Sequence, residues 1–121
     1  EVMDTLQKLR NNGLKLAIGS SSKNTLLILK QIGLENFFDA ISDGTMITYS
    51  KPHPEVFMKA ADLLNVNYKH CLVVEDAVAG CIAAKSASMK VAAIASAYGN
   101  NVADFHLNCF KDLLIILNTI K

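Results

Sequence analysis

Hydrophobic positions along the chain change their period repeatedly, and each change predicts an element. Val2, Met3, Leu6 and Leu9 recur at helical spacing, and Gly13 stands where a C-terminal glycine cap belongs. Leu14-Lys15-Leu16-Ala17-Ile18 is short and mostly apolar, which predicts a strand ending at Gly19-Ser20-Ser21-Ser22. A helix is expected from about Lys23 to Ile32, closed by Gly33. Phe38 to Ser42 reads as another short strand and Asp43-Gly44-Thr45 as a turn. Pro52 and Pro54 then interrupt the chain. Pro54 suits the first position of a helix that carries Val56, Phe57, Ala60, Ala61 and Leu64 on one face.

Cys71-Leu72-Val73-Val74 is a continuous apolar strand, ended by Glu75-Asp76. A helix with Val78, Cys81 and Ile82 follows, then a strand from Val91 to Ala95. Phe105 to Leu107 reads as a short edge strand, and Phe110, Leu113, Leu114 and Leu117 mark a closing helix. Strands apolar on both faces, alternating with helices, indicate a parallel sheet covered on both sides, so the class is α/β. No internal repeat, low-complexity stretch or linker interrupts the pattern.

Composition narrows the function classes. The 121 residues are a single-domain length, and such a chain can bury roughly two-thirds of the surface exposed by its unfolded form. Hydrophobic residues make up 51% and charged residues 19%, which excludes intrinsic disorder. Lys and Arg number 12 against 11 Asp and Glu, so there is no basic face for nucleic acid and no polybasic membrane anchor. Apolar runs such as Leu113 to Leu117 fall far short of the ~20 residues a membrane span needs. Cys71, Cys81 and Cys109 show neither metal-type nor disulfide-type spacing, which fits reduced thiols and a cytoplasmic setting. The chain does not begin with Met, and it opens inside a helical pattern.

Ligands of open α/β sheets bind outside the carboxyl ends of the strands, so the polar residues expected there are the candidates. Ser20-Ser21-Ser22-Lys23-Asn24 offers hydroxyls and backbone N–H groups for a phosphate; the plainer alternative is a serine that caps the next helix. Lys51 lies on a stretch stiffened by Pro52 and Pro54, where a fixed ammonium suits a phosphate oxygen or a carboxylate. It could equally be an ordinary solvated lysine. Glu75-Asp76 puts two hard carboxylates directly after a buried strand, as Mg²⁺ requires, unless Asp76 caps the helix beginning near Ala77. His53, His70 and His106 make no ligand pattern. A hydroxyl, a lysine and an acidic pair at one sheet edge describe a Mg²⁺-assisted phosphoryl-transfer site. A nucleophile is missing from the set, since Asp43-Gly44-Thr45 follows a weak strand and reads as a turn.

The stretches "LAIGSSSKN", "FFDAISDGT", "SKPHPEVF" and "CLVVEDAVAG", in this order and spacing, resemble the haloacid dehalogenase (HAD) superfamily of phosphotransferases, and within it the β-phosphoglucomutase branch. The resemblance covers nearly the whole chain and implies a Rossmann-like parallel sheet flanked by helices. It implies that residues 1–121 are the C-terminal part of one HAD-like core domain. Ser20 would be the phosphate-binding hydroxyl and Ser21 would add its backbone N–H. Lys51 would neutralise the transferring phosphoryl group, and Glu75 and Asp76 would hold Mg²⁺. Ser22, Lys23 and Asn24 match positions that touch the substrate's other phosphate or its sugar. The family's N-terminal D-x-D-x-T/V motif, which carries the nucleophile, and its cap domain are not in this chain. The missing strand would lie centrally, between those ending at Ser20 and Glu75, and an unpaired edge there invites association. Ser88 stands in Ser86-Ala87-Ser88-Met89, where relatives often have glycine, so that helix end is expected to be strained.

The activity so implied is interconversion of β-glucose 1-phosphate and glucose 6-phosphate through a phospho-aspartate supplied upstream. The alternatives are a phosphatase for small sugar phosphates using the same residues, and a fragment that is non-catalytic as it stands, lacking a nucleophile. A two-component receiver domain also combines acids, a hydroxyl and a lysine, but its acids come first along the chain, whereas here the hydroxyl leads.

Overall fold

The computed structural model describes residues 2–120, with side chains as far as residue 117. Along the chain run α1 (Val2–Asn11), β1 (Ala17–Gly19), α2 (Thr25–Gln31), β2 (Ala40–Ser42) and α3 (Glu55–Leu64). They are followed by β3 (Leu72–Glu75), α4 (Val78–Ser86), β4 (Lys90–Ile94), β5 (Phe105–Leu107) and α5 (Leu113–Ile120). Single turns of 3₁₀ helix at Tyr68–His70, Ala95–Ala97 and Phe110–Asp112 join some of these.

All the strand pairs are parallel, and they fall into two sets. β1 pairs with β2, while β4 lies between β3 and β5. Among the described residues no ladder joins β1 to β3, so each of these strands keeps one unpaired edge.

Alternation along β4 explains the layers. Val91 and Ala93 face a core built from α3 and α4, with Val56, Phe57, Ala61, Cys81, Ala84 and Met89. Ala92 faces the other way, onto Leu9 of α1, Leu107 and Leu113 of α5, and Ile94 packs there too. Side chains of successive strand residues point to opposite faces, so a strand covered by helices on both must be apolar throughout. Leu14 and Leu16 join the α1 face, and α3 also packs on β1 and β2. The two strand sets are therefore held by shared helices rather than by a shared ladder.

Most expected elements form, with shifted ends. The first strand is shorter than Leu14 to Ile18 because the Asp39 carboxylate, rather than a backbone carbonyl, accepts the Leu16 N–H at 2.7 Å. The second helix starts at Thr25 rather than Lys23, because Ser20 and Ser22 hydroxyls accept the N–H groups of Ser22 and Asn24 and hold that segment in turns. Pro54 is the residue before α3 rather than its first. Glu75 is the last residue of β3, paired with Ala93, rather than the first beyond it.

Ser88 ends the α4 turn at φ 64°, in the left-handed region that a side chain disfavours by about 1 kcal/mol or more. Replacing Ser88 with Gly should raise the melting temperature by roughly 3–5 °C in calorimetry; an unchanged or lower value would show that Ser88 is not strained.

Candidate active site

The carboxyl ends of β1 and β3 converge on Lys51. Its Nζ donates to Glu75 Oε2 at 2.9 Å and to the Gly19 carbonyl at 3.4 Å, and stands 4.8 Å above the Phe57 ring. Both charged side chains are largely shielded, Lys51 at 19% and Glu75 at 9% exposure. A shielded ion pair is stable when its remaining hydrogen-bonding capacity is met. Glu75 meets that condition, since its Oε1 accepts the N–H groups of Asp76 and Ala77 at 3.1 and 3.2 Å.

Asp76 is exposed, and its carboxylate takes no hydrogen bond or ion pair among the described residues. It does not cap α4: Ala77 occupies that position without a side-chain bond, and the Glu75 carboxylate accepts the Ala77 N–H instead. Among the described residues no group of three His, Cys, Asp or Glu side chains gathers to hold a metal. Two adjacent carboxylates, one of them unengaged, still fit Mg²⁺, which takes one or two from the protein and completes its shell with water and phosphate oxygens.

Across from the acids, the Ser20–Asn24 segment leaves β1. Ser20 N donates to the Ser42 carbonyl at 2.9 Å, which prolongs the β1–β2 ladder, and Ser20 Oγ accepts from Ser22 N. The Ser20 hydroxyl proton remains available to a ligand. Ser21 Oγ accepts from Lys51 N at 3.5 Å, so this segment touches the Lys51 loop directly. The Ser21 N–H donates to no acceptor among the described residues. Ser22, Lys23 and Asn24 lie exposed farther out, with no bond to Lys51, Glu75 or Asp76. Ser20, Ser21, Lys51, Glu75 and Asp76 thus share one place, and Ser22, Lys23 and Asn24 stand at its margin.

A cleft lined by Asp62, Asn65 and Tyr68 lies away from this site, at the amino end of β3. A family model for haloacid dehalogenase-like hydrolases matches residues 1–94. The chain belongs to that family. It is 35% identical to β-phosphoglucomutase of Bacillus subtilis over 112 residues, covering 93% of this chain and 50% of that protein. Hexitol phosphatase B of Escherichia coli K12 is 30% identical over 119 residues, covering 93% and 54%. The crystal structure of β-phosphoglucomutase from Clostridium difficile superposes with a TM-score of 0.86 at 32% identity, covering 97% and 53%. The chain therefore spans about half the length of these relatives.

Other residues of this HAD-like site were not nominated from the sequence. Glu55 Oε1 accepts the N–H groups of Thr48 and Tyr49 at 2.6 and 2.9 Å, and Glu55 N donates to His53 Nδ1. Tyr49 also lies against the His53 ring, with centroids 4.9 Å apart. This clamp closes the loop on which Lys51 sits, and the Lys51-Pro52 peptide within it is cis. Gly44 abuts the Ser20–Asn24 segment: a Cβ there would lie 2.2 Å from the Ser21 carbonyl oxygen, and its N–H donates to Ser22 O. Both lie within stretches that carry the family resemblance, Glu55 in "SKPHPEVF" and Gly44 in "FFDAISDGT", but neither was singled out, because an acid in a first helical turn and a glycine in a turn have plainer explanations. Burial pushes the Cys81 thiol up, keeping that cysteine protonated beneath the site.

Two predictions concern these supports. Hydrogen bonds from Tyr49 and Thr48 N–H hold the Glu55 carboxyl below its ordinary value of 4.5. A lowered folded-state pKa contributes stability above the unfolded value, lost as pH falls through the folded one. The melting-temperature gap between the protein and its Glu55→Gln variant should therefore persist at neutral pH and close below pH 4.5; a gap constant through that range would refute the clamp. Gly44→Ala must displace backbone, so it should cost about 1–3 kcal/mol of stability and weaken binding of inorganic phosphate. Unaltered phosphate binding by calorimetry would mean that Gly44 does not shape the Ser20–Ser22 segment.

Proposed function

We propose that the chain is part of a Mg²⁺-dependent enzyme transferring a phosphoryl group on a sugar phosphate, and that its reaction interconverts β-glucose 1-phosphate and glucose 6-phosphate. The observation that carries this reading is Lys51 Nζ, 2.9 Å from Glu75 Oε2 and 3.4 Å from the Gly19 carbonyl, beside the Ser20-Ser21 segment at the ends of β1 and β3. Residues 1–121 would serve as the C-terminal part of one HAD-like core domain. The nucleophilic aspartate and the cap would come from an upstream segment, in the same chain or another. The unpaired edges of β1 and β3, on either side of Lys51, favour that arrangement because they leave a place for one more strand.

In the proposed reaction the Ser20 hydroxyl and the Ser21 N–H donate to the phosphoryl oxygens. Lys51 stabilises the charge that spreads over those oxygens in the transition state. Glu75 holds Lys51 in place, and Glu75 and Asp76 would hold Mg²⁺. Bound Mg²⁺ supplies further neutralisation of the transferring group. Ser22, Lys23 and Asn24, exposed at the margin, are placed to meet the substrate's other phosphate or its sugar. The likeness to a B. subtilis β-phosphoglucomutase over 93% of the chain supports the mutase reading. The comparable likeness to hexitol phosphatase B supports a second, in which water attacks the phospho-aspartate. Three unpaired cysteines suit a reducing compartment, and we assign the cytoplasm on that ground. No described helix is long and apolar enough to cross a membrane.

The test is ³¹P NMR on the longest natural chain containing this segment, given β-glucose 1-phosphate, Mg²⁺ and a trace of the bisphosphate. Conversion to glucose 6-phosphate is expected; release of inorganic phosphate alone would replace the mutase with the phosphatase. Asp76→Ala should abolish Mg²⁺-dependent turnover, and retained turnover would sink the site assignment. The 121 residues alone should show no turnover.

A further inference from the structure

Gly80 stands in the first turn of α4, where glycine has no helical advantage. It is buried, and a Cβ built there would lie 2.0 Å from Glu75 Cδ, 2.2 Å from Cγ and 2.2 Å from Oε2. No other atom is nearer, so the space left by the missing Cβ is filled by the Glu75 side chain. That side chain leaves the end of β3 and folds back over the helix start. In this pose Oε1 reaches the Asp76 and Ala77 N–H groups while Oε2 reaches Lys51.

We propose that Gly80 is a positioning residue of the site: its lack of a side chain is what permits the Glu75 carboxylate to lie between α4 and Lys51. The inference rests on the phosphotransferase reading above. A Cβ at Gly80 meets the far end of a flexible side chain, not backbone. The helix can therefore keep its place while the carboxylate swings out. Gly80→Ala then removes the Oε1 bonds, frees Lys51 from its partner and takes one carboxylate from the metal site, without unfolding the chain.

The experiment uses the longest natural chain, with Mg²⁺ affinity read by calorimetry and thermal stability by melting. Gly80→Ala should weaken Mg²⁺ binding roughly 10- to 100-fold, the usual cost of disturbing a ligand's support. It should still fold and melt in one cooperative transition, at a lowered temperature, because the shielded Lys51 loses its carboxylate partner and the gain from a better helix former only partly offsets that loss. In a Glu75→Ala background, where no side chain remains to be displaced, the same change should add no further loss of affinity. Unaltered affinity in Gly80→Ala would overturn the inference, as would an equal further loss in the Glu75→Ala background. Asp76→Ala is measured alongside. If it loses Mg²⁺ binding while Gly80→Ala does not, only this inference fails; if it binds Mg²⁺ normally, the functional reading fails and this one with it.

Discussion

An ammonium group shielded from water has to be answered by negative charge or by aligned dipoles, because an uncompensated charge is costly to hold in the interior. Lys51 is answered from three elements at once. The Gly19 carbonyl comes from the end of β1, the Glu75 carboxylate from the end of β3, and the Phe57 ring face from α3. Since no ladder connects β1 with β3, this cluster is a polar link between the two strand sets at the edge where ligands of such sheets bind. The same contacts that satisfy the lysine also aim it.

Space is managed as carefully as charge, and glycines do much of it. A Cβ at Gly19 would lie 2.7 Å from a Phe57 ring carbon, so the glycine lets α3 approach β1 closely enough for its ring to lie beneath Lys51. Gly44 lets the β2 turn touch the Ser21 backbone, and Gly80 leaves room for Glu75. Each missing side chain brings one element against another near the candidate site. None of these three glycines has a positive φ, so their shared property is smallness rather than backbone freedom.

The divided sheet gives these local contacts their wider setting. Helices cover both faces of β4, which is apolar from Val91 to Ile94 and buried over its first three of those residues. β1 and β3 are only half-covered and each carries a free edge. An unpaired parallel edge with an apolar strand behind it is a surface that proteins normally pair or cover. The chain spans about half the length of its HAD-like relatives, and the reaction proposed for this site would draw its nucleophile from outside these residues.

Local pattern alone determined a good deal. The α/β class, the order of elements and the strand Phe105–Leu107 follow from apolar periodicity, because that signal is carried by residues a few positions apart. The strain at Ser88 was legible for the same reason, since a helix end is a local event. Ser20, Lys51, Glu75 and Asp76 could be nominated from strand ends and quoted motifs. What each one touches could not. Lys51 and Glu75 are 24 residues apart, and Ser21 and Lys51 are 30. Whether Asp76 or Glu75 would serve the start of α4 depended on a side chain folding into space left by Gly80, four residues past the acidic pair. The capping role of Glu75, the clamp by Glu55 and the break between β1 and β3 were decided by packing. Those outcomes depend on distances between elements far apart in the chain, and hydrophobic period carries no record of such distances.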